Sequence, residues 1–400
     1  MRQHAKLLLI QSAMALPIGA AAGTASAFFL FSLAYVTDRQ TESPWLLWLL
    51  PIGGALVAMV YARYGQQSMR GNNLVLEQAH SGDGQIPLRM APLVLLGTLV
   101  THLFGGSAGR EGTAVQMGGS LSSAIARLYP FTPEHRRMLV LCGISAGFGS
   151  VFGTPLAGTV FAMEAAAHRS MRLLAVLPCL AAGYAGHFVT MAWGADHPHY
   201  EMGLVPPLEG ALLWKLGAAA IAFGLAAMLF TRLTGALKKL FAEKVVSLPL
   251  RSFIGGVIII GLVALTGSRD YLGLSLPLID QAFQEAVAYE TFLLKTLFTS
   301  VTLGAGYLGG EVTPLFVIGS TLGSALSAAL GLPAPFLAAL GLAAVFGAAS
   351  KTPLACTVLG LELFGLEGAV YLLAVCLLSS LISGRNGIYA SHVRYYVPKR

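Results

Sequence analysis

The sequence predicts an all-α integral membrane protein made of two related halves that contain many tilted and broken helices. Of its 400 residues, 56% are hydrophobic and only 11% are charged, whereas soluble domains carry about 25% charged residues. Several apolar stretches reach the length of about 20 residues that a bilayer-spanning helix needs. They lack the period-two alternation of a membrane barrel. Motifs of the first half also recur in the second half.

The apolar stretches give the expected order of helices. Long candidates lie near 7–35, 45–61, 173–193, 211–230 and 355–382, and shorter or interrupted ones at 91–104, 253–266, 314–331 and 335–348. The 47 glycines and 19 prolines are typical of membrane helices that pack closely, stop midway or reverse. The N-terminus also resembles a secretory signal, but the apolar run FFLFSLAYV continues directly and favours a retained first span.

The positive charge indicates membrane topology, because the basic residues gather in short segments beside apolar stretches. Nucleic acid is therefore not an expected partner. A predicted loop at 231–251 joins the halves and should lie in the cytoplasm. Its basic residues are Arg232, Lys238, Lys239, Lys244 and Arg251. The same bias places the MRQHAK head and the YYVPKR tail inside.

No sequence motif indicates a metal, a cofactor or ATP hydrolysis. The cysteines lie in apolar segments without paired spacing, which favours small buried hydrophobes over metal ligands or disulfides; they are Cys142, Cys179, Cys356 and Cys376. Two G-x-S-x-G matches, at 105–109 and 143–147, are weak in a chain rich in glycine and serine. An intramembrane enzyme or a non-transporting sensor is therefore a distant alternative.

The chain contains an internal duplication. Seven of the eleven positions of Thr154–Glu164 recur at Thr352–Glu362, at an offset of 198, and GREGTAVQMGGS at 109–120 aligns with GGEVTPLFVIGS at an offset of 200. Such duplicated, discontinuous helices are typical of a transporter or channel with its site between the repeats. We expect one transmembrane domain over 1–400, with repeat 1 at about 50–230, repeat 2 at about 252–395 and no cytoplasmic regulatory domain. Sequence leaves open whether the repeats are parallel or inverted.

The segment GGSAGREG (105–112) carries Glu111 just before an apolar run that can begin a helix. A helix N-terminus at membrane depth attracts anions. An ionised Glu111 can occupy the place of a transported anion there, and a protonated one can leave it. The alternative is that Glu111 forms a structural pair with Arg110 or lies in solvent. Arg110 itself is expected to face lipid headgroups or to cap carbonyl groups.

Several segments resemble the signatures of the CLC anion channels and proton-coupled antiporters. GREGTAVQMGG is similar to their GREGPxVQxGG motif and GGEVTP to their second glycine-rich motif, while TPLAGTVFAME and the terminal GIYASHV follow in the expected order. The resemblance covers about residues 50–395 and implies a CLC-type inverted-repeat fold and a homodimer in the lipid bilayer. By motif position, Glu111 matches the external gating glutamate, and Tyr389 matches the tyrosine that contacts the central anion.

The departures from the chloride-handling pattern resemble the fluoride branch of the family. Asn72 in GNNLV replaces the usual serine, Thr113 replaces the proline of GREGP, and Ala165 replaces the glutamate that passes protons to the cytoplasm in chloride antiporters. Fluoride holds its water tightly, so its site needs strong donors such as an amide or a hydroxyl. A polar turn at a helix start is the alternative explanation for Asn72 and Asn73.

We therefore predict an antiporter of a bacterial inner membrane that exports fluoride in exchange for inward protons. Glu111 is its expected gate and proton carrier. The expected anion-binding residues are Asn72, Val312, Thr313 and Tyr389, and Glu311, Asn73 and Thr113 are further candidates for the ion or proton pathway. Glu311 is either a second proton-handling carboxylate or a group that only contacts water. A chloride/proton antiporter and a passive anion channel are the main alternatives.

Overall fold

The computed structural model describes residues 2–82, 85–128, 130–166, 172–197 and 199–389. Within these residues the chain is almost entirely helical, apart from an isolated antiparallel bridge between Gly109 and Gly310. The predicted all-α class is confirmed. The last part of GIYASHV and the YYVPKR tail lie outside the described residues, so the predicted location of that tail stays a prediction.

The helices form two series with the same order of long and short elements. The first series is α1 (Arg2–Glu42), α2 (Leu50–Val60), α3 (Asn72–Ser81), α4 (Met90–Leu103), α5 (Glu111–Ala126), α6 (Pro133–Phe152), α7 (Pro155–Phe161) and α8 (Arg172–Ala192). The second series is α9 (Gly210–Lys244), α10 (Leu248–Thr266), α11 (Leu276–Gln284), α12 (Glu290–Gly304), α13 (Val312–Leu330), α14 (Ala334–Ser350), α15 (Pro353–Phe364) and α16 (Ala369–Ile382).

The lengths of the helices identify a multi-pass membrane protein. In the described part of the chain, six helical stretches are long and apolar enough to cross a bilayer: Ser12–Glu42, Pro44–Ser81, Leu173–Ala192, Gly210–Lys244, Leu248–Thr266 and Val312–Leu330. The first of them belongs to α1, which packs against α8 and α6. A Cβ at Gly23 would lie 2.3 Å from the Gly186 carbonyl oxygen, so α1 is in close backbone contact with α8.

Two of the predicted boundaries are wrong. The expected long span at 355–382 consists of two helices, α15 and α16, which separate at Gly365, where φ is 88°. The predicted basic loop at 231–251 is mostly helical, because α9 continues to Lys244 and only three residues separate it from α10. Lysine and arginine have good helix propensity, so a cluster of them beside a span does not by itself mark a loop.

Helix packing assigns α1 and α9 to different halves. α1 packs mainly against α4, α5, α6 and α8, whereas α9 packs mainly against α12, α13, α14 and α16. The sequence expectation ended the first repeat near residue 230 and so included α9 in it. In the structure, α9 is the first helix of the second series, just as α1 is the first helix of the first series.

The two halves cap each other where their short helices meet. Glu164 accepts hydrogen bonds from the backbone N–H groups of Leu354 (3.2 Å) and Ala355 (2.7 Å) at the start of α15. Reciprocally, Glu362 accepts from Leu156 (3.0 Å) and Ala157 (2.7 Å) at the start of α7. Each carboxylate satisfies two of the N–H groups that a helix N-terminus leaves unpaired. The duplicated TPLA…E motif therefore makes a symmetric contact between the halves.

Close glycine contacts bring neighbouring helices together around the centre of each half. In the first half, a Cβ at Gly118 of α5 would lie 2.1 Å from the Gly143 carbonyl oxygen of α6. In the second half, a Cβ at Gly319 of α13 would lie 2.1 Å from the Gly341 carbonyl oxygen of α14. Only glycine permits such an approach of two backbones. These contacts position α5 and α13, whose N-termini form the site.

Candidate functional site

The N-termini of α5 and α13 meet near the middle of the molecule. Gly109 and Gly310 lie just before these helices and exchange two backbone hydrogen bonds, of 2.7 and 2.6 Å. The bridge is antiparallel, so the two helices start from neighbouring points. Because each helix N-terminus carries unpaired N–H groups and a partial positive charge, the junction is a favourable place for an anion.

The loop before α5 is held by a buried lysine. Lys295 of α12 is fully buried, and its Nζ donates to Ser107 Oγ (3.0 Å), the Tyr271 carbonyl (3.2 Å), the Gly273 carbonyl (2.9 Å) and Ser275 Oγ (2.8 Å). The Ser107 N–H also donates to Thr302 Oγ1 (3.2 Å). This network fixes the loop that leads into Glu111. Sequence reasoning missed Lys295, although a single lysine within the segment ETFLLKTLFTSVTLG was a visible signal.

Glu111 is the first residue of α5 and is fully buried. Its Oε2 accepts from the Thr313 N–H (3.0 Å) and the Arg110 N–H (3.1 Å), and its Oε1 accepts from the Thr313 hydroxyl. The carboxylate therefore extends from the tip of one helix to the tip of the other. Two backbone N–H groups and one hydroxyl surround it, which are donors that a small anion would also use.

Arg110 contradicts the expectation that it faces lipid headgroups or caps carbonyl groups. Its side chain is only 11% exposed, and its Nε lies 3.6 Å from Glu111 Oε1. That separation is too long for a good hydrogen bond, and Nε has no hydrogen-bond partner among the described residues. The physical reason is that the buried carboxylate keeps the guanidinium nearby. Arg110 is therefore a charged neighbour of Glu111, as in the alternative in which the two residues form a structural pair. The hydrogen bonds of Glu111, however, come from Thr313 and from the backbone.

Asn72 lies on the other side of the same junction. It begins α3, directly after Gly71, whose φ is 54°. A Cβ at Gly112 would lie 2.8 Å from Asn72 Nδ2, so the amide packs against the backbone of the first turn of α5. Asn72 Oδ1 is buried and has no hydrogen-bond partner in the described chain. Asn72 therefore starts a helix, as the polar-turn alternative supposed, and also borders the site.

A cavity of about 320 Å³ leads from this junction to one face of the molecule. Its lining includes the predicted site residues Asn72, Asn73, Glu311 and Tyr389. It also includes polar residues that sequence reasoning did not assign to a site, namely Tyr61, Ser68, Arg70, Gln116, Lys238 and Arg251. Two of these, Lys238 and Arg251, belong to the basic segment that the sequence places in the cytoplasm. The cavity therefore opens toward the face predicted to be cytoplasmic.

Glu311 and Tyr389 lie at the inner end of this cavity. Glu311 is the residue before α13 and is partly buried, and it lies within electrostatic range of Lys238. Tyr389 is 5% exposed, and its ring meets the Phe161 ring edge-on at 6.1 Å. Tyr389 also interacts electrostatically with both Glu311 and Glu111, so the three residues share one region.

Four predicted site residues do not line this cavity: Glu111 and Thr313, which meet at the junction, and Val312 and Thr113. Val312 is the first residue of α13 and is buried at the helix tip beside Glu311. Thr113 is fully buried on α5, where its hydroxyl lies 2.7 Å from the Thr98 hydroxyl of α4. The structure therefore places Thr113 in the contact between α4 and α5. Its motif position suggested a pathway residue because a one-dimensional pattern does not show which side of a helix faces the site.

A second and much smaller cavity, of about 20 Å³, lies against Glu111 itself. Its lining includes Arg110, Glu111 and Thr313 together with Phe152, Phe316 and Tyr200. Tyr200 lies in the loop before α9, where burial and the nearby Asp280 carboxylate raise the pKa of its phenol, so that this hydroxyl stays protonated at neutral pH. Glu111 and Thr313 therefore both border the narrow cavity, and neither of them lines the wide one.

A sequence model of the family described as "Voltage gated chloride channel" matches residues 53–384. A "Chloride/fluoride channel protein" of Pseudomonas syringae pv. tomato is 44% identical over 387 residues, which cover 94% of this chain and 86% of that protein. An "H(+)/Cl(-) exchange transporter ClcA" of Cronobacter sakazakii is 27% identical over 375 residues, covering 86% of this chain and 80% of the transporter.

Two solved structures are also similar to this chain. The crystal structure of a CLC-type fluoride/proton antiporter superposes with a TM-score of 0.92 at 33% identity, covering 96% of this chain and 98% of that one. A slow cyanobacterial Cl⁻/H⁺ antiporter has a TM-score of 0.81 at 22% identity, with 96% and 97% of the chains covered, and that likeness shows the fold. The family match spans well over half of the chain, and the fold is the same. The chain therefore belongs to the CLC family, the family of the voltage-gated chloride channels, and it has the inverted-repeat membrane fold of that family.

Proposed function

We propose that the protein is a secondary active fluoride/proton antiporter that exports fluoride from the cytoplasm in exchange for inward protons. The observation that carries the proposal is the Glu111 carboxylate held by Thr313 between two helix N-termini, with Asn72 in place of a serine on the adjoining helix. The chloride/fluoride relative and the fluoride/proton antiporter structure support it. The proposed location is a bacterial inner membrane, and the proposed assembly is a homodimer, as the family resemblance implies.

In the proposed mechanism Glu111 alternates with fluoride at the junction. While it is ionised, its carboxylate satisfies the Thr313 N–H and hydroxyl and blocks the route between the two cavities. Protonation removes the charge that the helix N-termini attract, so the side chain can leave. A fluoride ion coming from the wide cavity can then take up the same donors. Because the same residue carries the proton and blocks the anion, movement of one ion requires movement of the other.

Roles for the neighbouring residues follow from their positions. The Asn72 amide and the Tyr389 hydroxyl would receive fluoride at the inner end of the wide cavity, and Thr313 would bind it at the junction. Val312 would contribute its backbone N–H at the tip of α13. Glu311 would pass protons toward the cytoplasm, with Asn73 beside it. This arrangement replaces the internal glutamate of chloride antiporters, which is Ala165 here.

The decisive experiment measures fluoride efflux from proteoliposomes with a fluoride electrode, with proton uptake recorded in parallel. We expect wild-type protein to couple the two fluxes and Glu111→Gln to lose proton uptake. Glu243→Gln is the matched control, because the Glu243 side chain is 59% exposed on α9 and its ion pair, with Lys239 at 3.8 Å, lies on the surface. If Glu111→Gln still drove proton uptake during fluoride export, the mechanism would be wrong.

Chloride/proton exchange or passive chloride conduction is the second candidate, because related ClcA transporters exchange chloride. Repeating the efflux assay with chloride distinguishes the candidates. Fluoride movement well above chloride movement supports the proposal. Chloride movement alone would overturn it.

A further inference from the structure

One face of α12 carries three buried polar side chains. Lys295, Thr299 and Thr302 follow each other at i, i+4 and i+7, a spacing that places side chains on the same side of a helix. All three residues are fully buried. Buried polar groups are costly unless they are hydrogen-bonded, and charged ones inside a membrane protein tend to serve a function. The partner of this row of side chains is therefore informative.

The three side chains meet at Ser107, in the loop that leads into Glu111. Lys295 Nζ donates to Ser107 Oγ at 3.0 Å, and Thr299 Oγ1 lies 2.9 Å from the same oxygen. The Ser107 N–H donates to Thr302 Oγ1 at 3.2 Å. Ser107 is itself fully buried. The loop therefore docks on α12 through a residue that lies four positions before the proposed gate.

The same ammonium group binds a second loop, the one between α10 and α11. Its three further acceptors are the Tyr271 carbonyl (3.2 Å), the Gly273 carbonyl (2.9 Å) and Ser275 Oγ (2.8 Å). The Gly273 N–H also donates to the Gly106 carbonyl at 3.2 Å, so the two loops are joined directly as well. Four oxygens surround a group that has three N–H donors. Lys295 is thus fully engaged by the protein and keeps no donor for an ion.

The charge of Lys295 is not neutralised by a carboxylate. Among the described residues, no aspartate or glutamate forms an ion pair with it. A buried charge without a counter-ion reduces stability, and a neutral side chain could join two loops without that cost. Hydrogen bonds from a charged donor are, however, about twice as strong as those between neutral groups. The ammonium group therefore favours firm positioning of the loop over overall stability.

We propose that Lys295 is a positioning residue that keeps ionised Glu111 on Thr313 and thereby enforces the coupling of fluoride movement to proton movement. By holding Ser107, it fixes the start of α5. The Glu111 side chain then leaves only after protonation has removed its charge. Without Lys295 the start of α5 shifts while the carboxylate is still ionised, and fluoride passes with no proton. This inference rests on the proposed function.

The test measures coupling separately from rate. Proteoliposomes are loaded with fluoride, a potassium gradient with valinomycin sets the membrane potential, and electrodes record fluoride release and proton uptake. We expect Lys295→Met and Ser107→Ala each to raise the fluoride released per proton taken up by about three- to tenfold, because each variant loses a hydrogen bond to a charged group. A residue that only stabilised the fold would change the amount of active protein and leave this ratio at the wild-type value.

Thr296→Val is the matched control. Thr296 is the neighbour of Lys295 on α12 and is only 1% exposed, but its hydroxyl donates to the Phe292 carbonyl of the same helix at 2.7 Å. Its removal perturbs α12 without touching Ser107. The fluoride-to-proton ratio of this variant should therefore equal that of the wild-type protein.

The outcomes are distinguishable. A wild-type ratio in both Lys295→Met and Ser107→Ala would overturn the proposal, and so would an equal rise of the ratio in Thr296→Val. If Lys295→Met fails to fold, Ser107→Ala decides alone, because it removes a single oxygen atom. Wild-type vesicles that release fluoride without taking up protons, or that release none, would instead refute the proposed function before any variant is compared.

Discussion

At the scale of single residues, the site depends on Glu111 having protein donors for its charge. Thr313 supplies both a backbone N–H at 3.0 Å and a hydroxyl to the two carboxylate oxygens. Hydrogen bonds to a charged group contribute about 1.5–3 kcal/mol. The hydroxyl can be removed by substitution, whereas the backbone N–H cannot. Thr313 is therefore the most informative partner to change.

Thr313→Val removes the hydroxyl and keeps the shape of the side chain. We expect coupled fluoride/proton exchange to fall by about ten- to a hundredfold, the range that loss of one such bond implies. The reason is that both the Glu111 carboxylate and the fluoride that replaces it lose a donor. Initial rates in proteoliposomes measure the effect.

Thr321→Val is the matched control for that experiment. Thr321 is fully buried on the same helix, but its hydroxyl donates to the Val317 carbonyl at 2.6 Å within α13. Its exchange rate should stay within about twofold of the wild-type rate, since exposed or locally bonded hydroxyls contribute little. Equal losses in both variants would show that the helix, and not the Glu111 contact, is responsible.

At the scale of helices, the positions of α5 and α13 are set by backbone contacts that only glycine allows. Gly118 and Gly319 make equivalent contacts with the next helix of their own half. In a membrane, helices associate through such close packing, because lipid is as apolar as the side chains. The two halves therefore repeat the same kind of close helix packing. It holds the two helix tips at the distance that one carboxylate spans.

Gly118→Ala should separate α5 from α6 and destabilise the fold by about 3 kcal/mol, because the added Cβ meets a carbonyl oxygen of a packed backbone. We expect Gly319→Ala to have a similar effect. Gly217→Ala is the control, since a Cβ at Gly217 of α9 meets nothing within 4 Å. Thermal unfolding of the detergent-purified variants measures the difference. A normal midpoint for Gly118→Ala would refute the packing argument.

At the scale of the whole molecule, two series of eight described helices pack as related halves. We propose that the repeats are α1–α8 and α9–α16, which moves the boundary from the residue 230 region to the loop before α9. The mutual caps of Glu164 and Glu362 support this division. The basic end of α9 should lie in the cytoplasm, as the positive-inside rule predicts.

Cysteine labelling tests that orientation. α9 has 35 residues and is about 52 Å long, which is longer than the bilayer core of about 30 Å, so its ends lie on opposite sides. We expect an impermeant maleimide to label Lys239→Cys only in inside-out vesicles and Glu209→Cys only in right-side-out vesicles. The four native cysteines are buried and give a low background. Labelling of both positions from one side would contradict the topology.

The sequence alone was sufficient for the membrane class, the family resemblance and the position of Glu111 at a helix start. Each of these depends on local composition or on a short motif, which folding does not rearrange. Sequence reasoning also proposed Thr313 as a site residue from the resemblance of GGEVTP to the family's second glycine-rich motif, and Glu311 as the counterpart of Glu111 in the internal repeat. The break at Gly365 and the helical continuation to Lys244 were missed, because apolar stretches do not show where a helix stops inside them.

What only the tertiary structure decided is which side of each helix faces the ions. Thr113 and Glu111 are two residues apart on α5, yet one contacts α4 and the other contacts α13. Tyr61 and Ser68 are far from Lys238 in the chain, and yet all three line one cavity. The motifs determined which chemical groups the protein carries. How these groups come together in space depends on how the two halves pack against each other. A local sequence pattern does not show such long-range packing.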